Sequence, residues 1–198
     1  MQLRIGGALV VSGVVAGLVA GIIAAADALN FLTGEGIVYA VVTVSLVLLG
    51  IGLALVAMYG AGVFPGIWAR RGLKTLAAGL LFDAVLVALM STPTFSGGML
   101  GAIILPLIAA SWITVIGFAL TVLGALSSGG RLERAGWILV VAVIGLVVAG
   151  GFNSDALRPI GVGLGIVAGL TLAIGISGIG VAAIHGVQPY VDIPQTTS

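Results

Sequence analysis

The chain has 198 residues, 61% of them hydrophobic and 7% charged, with a formal net charge of +1 and a mean hydropathy of +1.36. A water-soluble domain carries about 25% charged residues, so this composition excludes a solvated globular surface and makes lipid the solvent. The chain has no cysteine, which removes disulfides, thiolate metal sites and cysteine nucleophiles, and its near-neutral charge offers no footing for nucleic acid.

A helix needs about 20 apolar residues to cross the bilayer core. Stretches near 5–29, 37–63, 73–91, 99–126, 136–152 and 159–184 reach or approach that length. The breaks between them are rich in Gly, Pro, Ser, Asn or charge, as turns require. The pattern predicts an all-α fold, a polytopic membrane helix bundle of six transmembrane helices arranged as three consecutive hairpins. The hairpins fall at about 4–63, 70–126 and 134–185, in a single transmembrane domain with a short tail at 186–198.

Span one carries Gly13, Gly17 and Gly21, continued by Ala25. Spacing of four puts them on one helix face, and in lipid such a face favours close helix contact. A secretory signal with its cleavage site at "AAADA" is the competing reading of this segment. The apolar run is too long for one and carries packing glycines, so a retained helix is expected. After span two, "VFPGIWARRGLK" collects Trp68, Arg70, Arg71 and Lys74.

Span three contains the most unusual residue, Asp83 in "LLFDAVLVALM". An ionised carboxylate at the centre of a span costs about 2.5–3.5 kcal/mol, and no Lys or Arg lies at that depth to pair with it. A protonated Asp83 acting as a hydrogen-bond donor is expected, with Gly79 on the same face turning it toward another helix. Ser111 and Thr114 of span four lie at comparable depth and are the expected hydrogen-bond partners. Asp83 is thus a candidate intramembrane ion or proton site, or alternatively a protonated structural strut.

Trp112, in mid-span, is expected to pack inside the bundle, whereas Tyr39, Trp68, Trp137 and Tyr190 fall near span ends as interfacial anchors do. Span five is the shortest. Span six repeats the glycine spacing at Gly161, Gly165 and Gly169, continued by Ala173 and Ser177. The two stripes are expected to be helix-packing faces within the bundle, against each other included, or alternatively a homo-oligomer interface or a pore lining. His185, the sole histidine, closes span six and is read as an interfacial residue.

Orientation follows from the basic residues. Arg4, Arg70, Arg71, Lys74, Arg131 and Arg134 fall on one side of a six-span arrangement, and only Arg158 falls on the other, with Asp27, Glu35 and Asp155. The positive-inside rule then predicts the cytoplasmic membrane, with both termini cytoplasmic. Arg-x-Gly recurs at Arg4–Gly6, Arg70–Gly72 and Arg134–Gly136, at intervals of 66 and 64 residues. This spacing suggests a repeated hairpin.

Three hairpins of this kind, with the phrases "VVSGVVAG" (Val10–Gly17) and "GISGIGVAAIHG" (Gly175–Gly186), resemble the HdeD family of small six-span prokaryotic membrane proteins. The resemblance implies a glycine-rich hairpin repeat and an association with acid-stress resistance, and it carries over no functional residue. The family's Asn-Pro after the outgoing helix is absent; "STPTF" and "FNSDA" stand there instead.

"SSGGR" lacks Walker A spacing, and the chain has no G-x-S-x-G, no H-E-x-x-H and no paired intramembrane carboxylates. The expectation is a non-enzymatic protein without cofactor or metal, structural or stress-related. The alternative is a small proton- or cation-coupled transporter or channel using Asp83. The lipid bilayer is the expected partner, with a homo-oligomer or a membrane-protein partner left open and no nucleic acid.

Overall fold

The computed structural model describes residues 1–28, 35–64, 66–90, 100–151 and 158–186. The "STPTF" and "FNSDA" segments, Asp155 and Tyr190 lie outside the described residues. Six helices make up the fold: α1 (Gln2–Ala28), α2 (Glu35–Tyr59), α3 (Ile67–Met90), α4 (Leu100–Leu126), α5 (Gly130–Gly151) and α6 (Arg158–His185). Each contains a segment long and apolar enough to cross a membrane. No strand occurs among the described residues. The chain is a multi-pass membrane helix bundle built as three consecutive hairpins.

Two helices begin earlier than hydropathy suggests. α3 starts at Ile67 and α5 at Gly130, six residues ahead of the apolar runs in both cases. Arg70, Arg71 and Lys74 therefore lie on the first turns of α3, and Arg131 and Arg134 on those of α5. Hydropathy reads only the apolar length, but a helix keeps its backbone hydrogen bonds into the interface, where long basic side chains reach water. α2 ends four residues early at Tyr59, and Phe64 N–H then donates to Gly60 O at 2.7 Å to turn the chain toward α3.

The hairpins are the most intimate pairs: α1 with α2, α3 with α4, and α5 with α6. α2 packs on α3 and α1 on α6, and α4 meets α5 over the smallest contact, so the helices close into a ring. Glycine makes the crossings close. A Cβ on Gly6 would lie 3.0 Å from Gly52 O, one on Gly13 would lie 2.8 Å from Leu49 N, and one on Gly79 would lie 2.8 Å from Thr114 N. Gly72 meets the backbone at Leu120 and Thr121, Gly117 meets Thr75 and Leu76, and Gly124 meets Ala69. Helices in lipid gain no hydrophobic drive toward each other, so such backbone approach supplies the attraction.

The buried core occupies one end of the bundle. Its members include Val10 of α1, Leu53 and Val56 of α2, Leu73 of α3, Val122 of α4, Leu139 of α5 and Ile179 of α6. All lie toward the end where α1 begins and α6 finishes, which is also where six of the seven basic residues fall, and which we call the basic end. Toward the opposite end α5 and α6 are exposed over most of their circumference, with Ile144, Val147, Val162, Ile166 and Val167 all open.

Candidate functional site

The α3–α4 crossing builds the site. Gly79, Leu76 and Gly72 of α3 lie against Thr114, Gly117 and Thr121 of α4 at backbone distance. That approach brings the Thr114 hydroxyl beneath Asp83, one turn beyond Gly79. Thr114 Oγ1 donates to Asp83 Oδ2 at 2.9 Å, and both residues are partly buried. Asp83 Oδ1 is buried and has no hydrogen-bond partner. Ala84 and Ala110, each within one helical turn of the pair along its own helix, are 2% and 0% exposed.

Of the two hydroxyls expected near Asp83, the structure brings only Thr114 to it. Ser111 lies three residues earlier on α4 and is exposed. Thr114 also departs from three other threonines of the bundle. Thr43 donates to Tyr39 O, Thr121 to Gly117 O and Thr171 to Val167 O, each at 2.8 Å and each four residues back along its own helix. Thr114 turns to the neighbouring helix instead.

The glycines of the two stripes have different surroundings. Gly13 packs tightly on α2, where Ser45 Oγ donates to Gly13 O at 2.8 Å. A Cβ on Gly17 would lie 2.9 Å from Ser45 Oγ, whereas Gly21 and Gly169 would meet nothing within 4 Å. Gly165 would meet only Ala149 Cβ, at 3.9 Å. Gly161 is buried. α1 and α6 touch elsewhere, at Gly7 and Gly180, where the added Cβ of Gly180 would lie 2.9 Å from Gly7 O. Farther from the basic end the two helices part around an apolar cleft of about 560 Å³, which Gly17, Gly21, Ile166 and Gly169 help to line.

Trp112 is 63% exposed and faces outward, not into the bundle. α4 spends one face on α3 and touches α5 little, so most of its circumference is left uncovered by the bundle. Trp68, 59% exposed, receives the Arg71 guanidinium 5.8 Å from its ring centroid, a cation–π contact at the basic end. Arg70 Nε is buried without a hydrogen-bond partner, a feature that charge counting along the sequence does not reveal. His185 is exposed, and its Nδ1 lies 3.0 Å from Val181 O at the end of α6.

The fold and this polar pair define the class, a multi-pass membrane helix bundle with one hydrogen-bonded carboxyl inside a span. Comparison with family models, with curated proteins and with solved structures returned no match.

Proposed function

We propose that the chain is a non-enzymatic protein of the cytoplasmic membrane with both termini in the cytoplasm, structural or stress-related, whose work lies in helix packing. The observation that carries this reading is the glycine crossing. The tightest backbone contacts between helices lie within α3–α4 and between α1 and α6 at Gly7 and Gly180, with those of α1–α2 next, and the one cross-helix polar pair between side chains among the described residues joins Thr114 to Asp83. The basic end supports the orientation, since cytoplasmic segments carry the excess of Lys and Arg. The likeness to the HdeD family is part of the same proposal.

Cysteine labelling tests the orientation cleanly because the chain has no native Cys. A cysteine at Gly130 should react only with permeant reagents in intact cells. Labelling there by an impermeant reagent would overturn it.

The buried, unpartnered Oδ1 favours a second reading, a small proton- or cation-coupled transporter or channel using Asp83. Flux into proteoliposomes under a pH gradient decides between the two. Flux that Asp83→Asn abolishes would establish transport, and none in either protein would leave the packing role.

A further inference from the structure

Close helix contacts fall at matching register positions in the three hairpins. In hairpin one Gly6 faces the Gly52–Val56 turn and, seven residues on, Gly13 faces the Ser45–Leu49 turn. In hairpin two Gly72 faces Thr121 and Gly79 faces Thr114, again seven apart. In hairpin three the Ile138–Leu139 pair faces Gly175, and Gly145 faces Ala168 with its added Cβ 2.9 Å from the alanine Cβ. Gly13, Gly79 and Gly145 thus mark one level, each 66 residues after the last. One turn onward the equivalent residues are Gly17, Asp83 and Ala149. Two hairpins make this crossing with Gly or Ala where the other carries a carboxyl.

We infer that Asp83 is a proton-binding site set into a position that the fold itself fills with a small residue. Packing does not need the acid. Thr114 has another acceptor open to it, the carbonyl four residues back, which is the one that Thr43, Thr121 and Thr171 use. The carboxyl is held by one donor on Oδ2, while Oδ1 is buried and free to carry a proton. A metal cation fits poorly, since hard cations take about six or more oxygen ligands and this site offers one carboxyl and one hydroxyl.

No charge competes for the proton. α4 carries no Asp, Glu, Lys, Arg or His, and α2 carries only Glu35 at its first residue, with the phenols Tyr39 and Tyr59 near its ends. On α3 itself the nearest cation is Lys74, nine residues away, or about 14 Å along the helix.

The inference concerns proton binding and not transport, so it stands whether or not the protein moves ions. Infrared spectra of the full chain in vesicles, recorded across a pH series, test it. Wild type should show the carbonyl band of a protonated carboxyl that Asp83→Asn lacks, and Thr114→Val should shift that band upward as its hydrogen bond is lost. Asp83→Ala should purify folded, with unchanged helix content and a melting temperature within a few degrees of wild type. Identical carboxyl regions in wild type and Asp83→Asn at pH 7 would overturn the proposal. So would an Asp83→Ala protein that fails to fold while Asp83→Asn folds, because the acid would then be a strut.

Discussion

At the scale of single residues, the glycines of this chain divide by what a methyl group would strike. An alanine at Gly79 would place its Cβ 2.8 Å from Thr114 N and 2.9 Å from Thr114 Cα. Backbone cannot swing aside, so the helices would have to separate. Gly79→Ala should therefore destabilise by about 1–3 kcal/mol, as overpacking does, and should also pull Thr114 from Asp83. Gly21→Ala and Gly169→Ala meet open space and should stay within about 0.5 kcal/mol of wild type. Unfolding in mixed detergent micelles measures all three. Thr114→Val removes the one hydrogen bond that Asp83 accepts. Stranding that oxygen should cost about 1–3 kcal/mol, and the Asp83→Ala background should reduce the loss.

This scale is where the sequence says least. Spacing of four places Gly13, Gly17 and Gly21 on one face of span one, but a face does not name its partner. The helix crossing does, and it gives Gly13 to α2 while leaving Gly21 beside a cleft. Ser111 and Thr114 likewise sit at similar depth in any hydropathy plot. Only the register of α3 on α4 selects Thr114. The exposure of Trp112 was hidden for a related reason, because a mid-span aromatic reads the same whether its side of the helix is covered or bare.

At the scale of elements, hydropathy located six helices because the bilayer makes apolar length the dominant signal. It misplaced the starts of α3 and α5 because those turns are basic. The join between α4 and α5 shows how a tight turn is specified. Ser127 and Ser128 both donate to Gly124 O, at 3.0 and 2.6 Å, closing the end of α4. Gly129 and Gly130 follow with φ of 72° and 64°, in the left-handed region that costs other residues about 1–2 kcal/mol each. Gly129→Ala and Gly130→Ala have room for a methyl group, so any loss of stability is conformational. Each should lower stability by about that amount, and the double variant should lose about the sum. A thermal-unfolding series on the two single variants and the double checks this.

At the scale of the whole molecule, the core and the close hairpin-to-hairpin contacts gather at the basic end. Gly7 meets Gly180 there, and Gly136 would bring a Cβ within 3.1 Å of Leu126 N. Stability should be graded accordingly. Amide exchange in detergent should be slowest around Leu53, Leu73 and Leu139, which are buried to 1%, 0% and 0% exposure, and faster in the distal turns of α5 and α6. Uniform protection along both helices would show that the hairpin itself, not the shared core, sets local stability.

The cleft beside Gly17, Gly21 and Gly169 leaves α1 and α6 room to close on each other away from the basic end. Such a closure would change the area that the bundle takes up in the bilayer. Its free energy depends on how the surrounding monolayers bend and on the lateral pressure of their chains. Lipids with small headgroups or crowded tails would press the distal helices together, while micelles would let them spread. The spacing between the distal ends of α1 and α6 should therefore report the elastic state of the bilayer. Spin labels at Ile22 and Ile166, both exposed beside the cleft, would read that spacing as lipid composition is varied.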